Sequence, residues 1–443
     1  MSALETIARQ RASARHARHI RRRRAYADMY SGELRELYRL RGHDPDRDPS
    51  IRELVDRGIG PVAGGATGKG AASFFLNMPP EGTYIPNTAY FNQETERNDV
   101  PQPSFAYTGL GGGRMDNRVQ NVGILAVIRL VFQGTLTVSG TGTVTSTYQW
   151  PWNFAKRITV QANGQTSLMQ ASGLDFRARR ERLFRKPAEA LISAPACTQV
   201  TGDPNPGVIA NGTYTVSLIL DLPIVHDMTT LTGALFAQSD SNYLSYSIEP
   251  ALASDLFSVA SGGAVSLTGT FYPQLTYFDI PYIDVPNKGR LVAIPDLRWL
   301  HGFIASDLYF QNTGDVYTPL IKNAGQLIAF YEYIDNGGAA QISWLGSVDQ
   351  FRLEYGGNRK PIVWSGPLGY GAMFGLEENE RNYNGLIQPG YLILDLENDN
   401  PQRDLIYPRG VSELQAVTKI SAGTTINANA HTHFVEETLF SGT

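Results

Sequence analysis

Apolar residues are concentrated in short runs along this chain, and one run occurs twice. The sequence Leu-Ile-Leu-Asp-Leu, which we call the repeated pentapeptide, stands at residues 218–222 and again at residues 392–396. A run of this length that follows a turn is typical of a strand buried on both faces. Upstream of each copy, residues 157–170 and 351–364 begin with alternating polar and apolar positions and contain a turn of Asn and Gly. Because Asn and Gly accept the positive φ of tight hairpin turns, both segments are predicted to be β-hairpins.

The elements around the two copies follow the same order. Each hairpin leads into a segment with helical character, at residues 172–186 and, less clearly, at residues 371–383. The repeated pentapeptide comes next, and a loop then leads to one more alternating strand, at residues 243–248 and 414–420. The first copy is longer by a Pro- and Gly-containing insertion, and such loops lengthen at little cost in free energy. The chain is therefore predicted to contain a duplicated all-β unit, with a period long enough to make each copy a domain.

Length and composition agree with two β domains. A chain of 443 residues suits about two or three domains. Hydrophobic residues make up 42% of it, and 44 Gly and 25 Pro provide breaks between many short strands. A single cysteine, Cys197, excludes an intramolecular disulfide framework, so stability must come from burial and assembly. No apolar stretch is long enough for a membrane span, and no apolar core follows the basic N-terminal residues, so neither a transmembrane segment nor a secretory signal is expected.

Residues 1–57 form a basic arm in front of an acidic body. This segment contains fourteen arginines and nine acidic residues, although the whole chain has a formal charge of −4. Few helix breakers interrupt this segment, so it is predicted to be helical. Two interpretations stay open, a solvated or partner-paired arm and a contact with a polyanion, either nucleic acid or an anionic membrane. The arginines that carry this prediction are Arg9, Arg11, Arg15, Arg18, Arg21, Arg22, Arg23 and Arg24.

Residues 58–82 are predicted to be a Gly-rich linker followed by an extended segment. The linker does not match a phosphate-binding loop, because Ala63 replaces the expected first glycine and Gly70 replaces the expected Ser or Thr.

Residues 172–186 are predicted to form a basic helix in the body of the protein. Ser172 and Asp175 have the spacing of a helix-capping box. The helix could contact a neighbouring subunit or a polyanion, or it could be a solvated helix laid across the end of a sheet. Its candidate contact residues are Arg177, Arg179, Arg180, Arg182 and Arg185.

No group of residues indicates catalysis. His431 and His433 share one face of a predicted strand near Glu436 and Glu437, but zinc needs further ligands, so a polar outer face is favoured over a metal site. Cys197 has no adjacent basic residue that would lower its pKa, which argues against a nucleophile.

The remaining candidates are assigned structural roles. His226 and His301 are single histidines near loops or strand starts. Asp221 and Asp395 occupy matching positions in the two copies, so they are expected to lie far apart at strand edges or turns rather than form an acid–base pair. The sequence therefore predicts a protein that is not an enzyme, with no catalytic, metal-binding or cofactor-binding residues.

The pattern as a whole resembles the double jelly-roll major capsid proteins of tectivirus-like phages, which are icosahedral and have an internal membrane. The resemblance consists of tandem β domains with a shared pentapeptide and hairpin, a helix after a hairpin, a helical N-terminal arm and a cysteine-poor chain. It covers residues 74–443 as domains and residues 1–73 by analogy of position.

This resemblance implies an all-β fold of two tandem eight-stranded jelly rolls, at residues 83–282 and 283–443. Three chains would form a trimer with a pseudo-hexagonal outline that tiles an icosahedral virion shell. The implied partners are other copies of the chain, penton proteins and minor membrane proteins. The basic arm would face an anionic internal membrane or neighbouring capsomers, with direct nucleic-acid contact less favoured. The protein would be made in the host cytoplasm.

Two alternatives from other classes remain at this point. One is an amidase that resembles the peptide-N-glycanases, which also pair two jelly rolls but are secreted. The other is a virion spike or carbohydrate-binding β-sandwich protein, because a fold alone does not fix a function. A capsid protein should form trimers that assemble further, whereas a secreted amidase should be a monomer that releases glycans.

Overall fold

The computed structural model of the protein describes residues 84–86, 88–120, 122–147, 150–162, 166–184, 191–192, 207–237, 244–285, 289–297, 299–320, 326–336, 347–355, 359–365, 391–397 and 414–441. The predicted arm of residues 1–57, the linker of residues 58–82 and the second helical segment at residues 371–383 lie outside these ranges. So do Cys197 and Arg185. No helix within the described ranges is long and apolar enough to cross a membrane.

Strands dominate the first part of the chain, which we call the first β unit. A short strand β1 (Tyr84–Pro86) and a helix α1 (Thr88–Glu94) precede it. Two further helices lie within it, α2 (Gly173–Phe184) and α3 (Ala253–Leu256), with a 3-10 turn at Trp152–Phe154. Its strands are β2 (Arg97–Pro101), β3 (Phe105–Tyr107), β4 (Met115–Arg118), β5 (Ile124–Gly140), β6 (Val144–Ser146), β7 (Ala155–Ala162), β8 (Thr166–Ala171), β9 (Leu191–Ile192), β10 (Val208–Ile209), β11 (Gly212–Pro223), β12 (Leu235–Phe236), β13 (Leu244–Pro250), β14 (Phe257–Val259) and β15 (Gly263–Phe278).

The second β unit follows a small connecting sheet. That sheet has the order β1-β17-β16, with β16 (Tyr282–Val285) and β17 (Gly289–Ile294). The strands of the second β unit are β18 (Trp299–Tyr309), β19 (Gly314–Pro319), β20 (Gln326–Asp335), β21 (Val348–Tyr355), β22 (Arg359–Ser365), β23 (Tyr391–Asp395), β24 (Leu414–Ile420) and β25 (His431–Ser441).

The two units share one strand order. When the eight main strands of each unit are numbered along the chain, with β2 and β3 sharing the first position, one sheet has the order 1-8-3-6 and the other 2-7-4-5. These sheets are β2/β3-β15-β5-β11 and β4-β13-β7-β8 in the first unit. In the second they are β18-β25-β20-β23 and β19-β24-β21-β22. The duplication expected from the sequence is therefore present in the topology.

Both predicted hairpins form, the first copy of the repeated pentapeptide lies in β11, and the second lies in β23 except for its last residue, Leu396. The antiparallel pairs are β7 with β8 and β21 with β22. The copy in β23 is buried apart from half-buried Asp395, but the copy in β11 alternates. Leu218, Leu220 and Leu222 enter the core, whereas Ile219 and Asp221 stay half-buried. The prediction of burial on both faces is thus wrong for the first copy, because the outer face of β11 meets partly exposed arginine side chains rather than a second apolar layer.

Each unit has an apolar core between its two sheets. In the first, Phe132 of β5 and Phe271 of β15 lie 5.0 Å apart between ring centroids and join Val160 of the opposite sheet in one cluster. In the second, Phe330 of β20 and Phe351 of β21 stack at 6.1 Å across the two sheets. This is the packing expected when two sheets bury their apolar faces against each other.

The units are also joined through their backbones. Strands β8 and β18 pair in parallel, with Phe303 opposite Met169 and Ile304 opposite Gln170. One eight-stranded sheet therefore runs through both units. Helix α2 directly follows β8, so it lies at this boundary.

Candidate functional site: an ionic junction between the units

Helix α2 begins with the predicted capping box. The amide and hydroxyl groups of Ser172 donate to Asp175 Oδ2 at 2.7 and 2.8 Å, and the amide of Asp175 donates to Ser172 Oγ at 3.3 Å. These bonds satisfy amide groups that have no partner within the first helical turn, which fixes the start of the helix immediately after β8.

The arginines of α2 are mostly buried within the chain. Arg177, Arg179 and Arg182 are only 2–4% exposed. Arg177 pairs with Glu181 one helical turn later at 2.8 Å, and its guanidinium lies over the ring of Trp152. These three arginines therefore do not face solvent or a neighbouring subunit, as the sequence suggested, because they are buried and paired with carboxylates of the same chain.

Glu437 of β25 is the centre of the buried charges. Its Oε1 accepts from Arg179 Nε at 2.7 Å and lies 3.0 Å from His301 Nε2. Its Oε2 accepts from Arg182 Nη1 at 2.5 Å and from the Tyr331 hydroxyl at 2.7 Å. Glu437 is fully buried, and both arginines come from the other β unit. We call this arrangement, together with the carboxylates and histidines described below, the ionic junction.

The two aspartates of the repeated pentapeptide both bind α2. Arg182 Nη2 donates to Asp395 Oδ1 at 3.0 Å. Arg180, which is half-buried, lies 3.8 Å from Asp221 Oδ2, and Asp221 also accepts from Arg129 Nε at 2.7 Å. Asp395 also accepts from the amide of Glu397 at 3.1 Å where β23 ends, so the predicted turn role is confirmed for Asp395. The additional binding of both aspartates to arginines of α2 was not predicted.

His433 belongs to an ion-pair cluster at the other end of α2. Its Nε2 lies 3.0 Å from Asp175, and its Nδ1 lies 2.6 Å from Asp307 Oδ1. His431 is directed to the ring of Tyr309, with 5.1 Å between ring centroids. Carboxylates occupy both ring nitrogens of His433, so this histidine pair is not arranged to share a metal ion.

His226 and His301 meet at Glu437, which the sequence interpretation of single structural histidines did not anticipate. His226 Nε2 lies 2.8 Å from Glu397, and its Nδ1 lies 3.6 Å from Glu437 Oε1. His301 Nδ1 lies 3.0 Å from the carbonyl oxygen of Pro223. No local signal pointed to Glu437, because β25 also contains His431, His433 and Glu436, and a polar strand of this kind does not reveal which charge is buried.

The environment of the junction shifts the pKa values of its side chains in different directions. Burial alone would raise the pKa of Glu437, but Arg179 and Arg182 outweigh it and hold that pKa well below its usual range. Burial lowers the pKa of His301 to about 4. For His226, burial also lowers the pKa, but the carboxylates of Glu397 and Glu437 prevail and raise it. An ionised Glu437 is thus stable at the boundary only while the arginines of α2 remain in place.

Comparison with solved structures identifies the architecture. The crystal structure of the major capsid protein of Sulfolobus turreted icosahedral virus matches with a TM-score of 0.57 and 14% identity, over 79% of this chain and 97% of that chain. The fold is the double jelly roll. A chain in the atomic structure of the same virus matches with a TM-score of 0.54 and 12% identity, over 78% of this chain and 90% of that one. Neither a protein-family model nor a curated protein matches the sequence.

The double jelly roll explains the repeated strand order. Orders 1-8-3-6 and 2-7-4-5 are those of two four-stranded sheets wound together by Greek-key connections, and each β unit has both. The resemblance inferred from the sequence is therefore confirmed at the level of fold. Within this double jelly roll, α2 belongs to the first roll and binds side chains of the second.

Proposed function

We propose that this protein is a major capsid protein that forms trimeric capsomers in an icosahedral virion shell. The observation that carries the proposal is the duplicated strand order, which gives each chain two similar units with the fold of a viral major capsid protein. Three chains then present six similar sides, so a threefold object fills a nearly sixfold position in a shell. We assign the two proposed domains to residues 83–282 and 283–443.

The ionic junction suits this role because a capsomer needs a fixed angle between its two rolls. Apolar surfaces attract without strong directionality, whereas the bonds of Arg182 to Glu437 and Asp395 require one relative position of the helix and the sheet. Polar groups at such boundaries can select one arrangement among several, and we assign that role to the junction.

The basic arm is proposed to face the interior of the virion. The excess of arginine in residues 1–57 supports an anionic partner, and an internal membrane or the acidic surface of a neighbouring capsomer fits it. Further proposed partners are penton proteins and minor membrane proteins of the same virion. Nucleic acid is the less favoured partner for the arm.

Mass photometry and negative-stain electron microscopy of the purified protein test the proposal. We expect a trimer with a hexagonal outline that assembles into sheets or shells as the concentration rises. A stable monomer that releases glycans from glycopeptides would instead support the amidase alternative. In vesicle flotation, a variant that lacks residues 1–24 should remain trimeric but bind anionic vesicles less well than the full chain, and equal binding would exclude the membrane role.

A further inference from the structure

Three potential metal-ligand atoms converge at the ionic junction. His226 Nδ1, His301 Nε2 and Glu437 Oε1 all lie within 4.8 Å of one another. The two nitrogens lie 3.6 and 3.0 Å from the carboxylate oxygen. A tetrahedral ion with bonds of about 2.0–2.1 Å sets its ligand atoms roughly 3.3 Å apart, so the two separations from the carboxylate oxygen bracket the required value.

The second nitrogen of each imidazole already has an oxygen partner. His301 Nδ1 lies 3.0 Å from the carbonyl oxygen of Pro223, and His226 Nε2 lies 2.8 Å from the carboxylate of Glu397. Histidine ligands usually bind a metal through one nitrogen and donate the other N–H to a carbonyl or carboxylate oxygen. Both histidines show this arrangement, with the remaining nitrogen directed towards Glu437.

Hydrogen bonding alone leaves the cluster incompletely satisfied. A neutral His301 has one N–H, but it lies between two acceptors, the carbonyl oxygen of Pro223 and the carboxylate of Glu437. His226 Nδ1 has no hydrogen-bond partner among the described residues, although the side chain is only 8% exposed. Buried polar atoms are rarely left in this state, so a further group is expected between these three side chains.

We propose that His226, His301 and Glu437 bind one divalent transition-metal ion, with Zn²⁺ as the best match to two imidazoles and one carboxylate. Such an ion accepts the lone pairs that His301 Nε2 and His226 Nδ1 direct at Glu437. Three protein ligands leave a fourth position for water.

The surrounding charges accommodate this ion. Arg179 and Arg182 contribute two positive charges, and Glu437, Asp395 and Glu397 contribute three negative charges. With neutral imidazoles the cluster is therefore formally −1, and a divalent ion changes this to +1. The two arginines weaken metal binding, while Asp395 and Glu397 offset them.

The ion would connect the two jelly rolls. His226 follows β11 of the first roll, whereas His301 and Glu437 lie on β18 and β25 of the second. A ligand that binds only the joined arrangement stabilises it by mass action, so metal should raise the unfolding temperature of the full chain. The inference concerns the junction within one chain and does not depend on the proposed capsid function.

Cobalt provides a direct test, because tetrahedrally bound Co²⁺ absorbs visible light strongly. Untagged full-length protein is treated with chelator, exchanged into metal-free buffer and titrated with Co²⁺. We expect saturation at one ion per chain, displacement by Zn²⁺ and a higher unfolding temperature. His226→Gln should lose this spectrum, whereas His431→Gln, which changes a histidine outside the cluster, should keep it.

Elemental analysis of the wild-type protein needs no variant and remains decisive if His226→Gln fails to fold. Folded wild-type protein that binds no Co²⁺ or Zn²⁺ near stoichiometric amounts would overturn the proposal. An unchanged Co²⁺ spectrum in folded His226→Gln would also overturn it.

Discussion

The strongest test of the junction is the replacement Arg182→Met. Methionine keeps much of the apolar stem but removes the guanidinium that binds Glu437 at 2.5 Å and Asp395 at 3.0 Å. Removing one partner of a buried ion pair leaves the other charge desolvated and costs about 3–5 kcal/mol. Because the total stability of a protein is roughly 5–15 kcal/mol, this single change should remove a large share of it.

Urea denaturation, followed by circular dichroism and tryptophan fluorescence, measures this loss. A chain of two units need not unfold in a single step, so the two signals are compared as well as their midpoints. For the wild type, the unfolding curves from circular dichroism and fluorescence should coincide. For Arg182→Met, the two curves should separate, because the two rolls then unfold independently. The matched control is Arg114→Met, because Arg114 and Asp116 form an exposed pair with 54% and 61% side-chain exposure. Arg114→Met should lower the free energy of unfolding by only about 0–1 kcal/mol.

Two results would refute this reasoning. The first is a loss of free energy in Arg182→Met no larger than that in Arg114→Met. The second is a double-mutant cycle of Arg182→Met with Asp395→Asn in which the two losses add, since residues in one network should show a coupling of about 0.5–3 kcal/mol. Either result would mean that the ionic junction does not hold the two rolls together.

Two further predictions concern pH. Burial lowers the pKa of His433, but Asp175 and then Asp307 raise it to about 10, so its stabilisation is complete below pH 6.5 and is lost as the pH rises through 10. His433→Asn should therefore flatten the fall in urea midpoint over this range, whereas His431→Asn should leave the fall unchanged. Burial raises the pKa of Glu332 from 4.5 to about 7, so the folded protein loses stability as the pH rises between these values. Glu332→Gln should be more stable than wild type near pH 8, on the order of 1–3 kcal/mol, and similar to it near pH 4; a difference of the same size at both pH values would contradict this.

The features that could be predicted from the sequence are those encoded by neighbouring residues. Alternation and turn residues sufficed for the hairpins β7–β8 and β21–β22, because a short turn places their two strands side by side. The capping pair Ser172 and Asp175 lies within one helical turn, so it could be predicted in the same way. The repeated pentapeptide revealed the duplication because both copies occupy the sixth position in the same strand order.

The partners in the junction could not be predicted in this way. Arg179 and Glu437 are 258 residues apart, and a pattern of local charge carries no information on such a pairing. A run of arginines on a helix normally indicates a face exposed to solvent, whereas three of the arginines of α2 are buried. The histidines present the same difficulty, since His301 and Glu437 are 136 residues apart and only the pairing of β18 with β25 brings them together.

The register between α2 and β25 explains why the junction specifies one orientation. Asp175 on the helix faces His433 on the strand, while Arg179 and Arg182 face Glu437. Glu437 lies four residues after His433, about 13 Å along the strand, and Arg182 lies seven residues after Asp175, about 10 Å along the helix. The charges of the helix can therefore align with those of the strand. The sign of the charge on the helix reverses from one end of this contact to the other. A shift of the helix by one turn, or its reversal, would place like charges together in a buried site, so the charge pattern disfavours both of these alternatives.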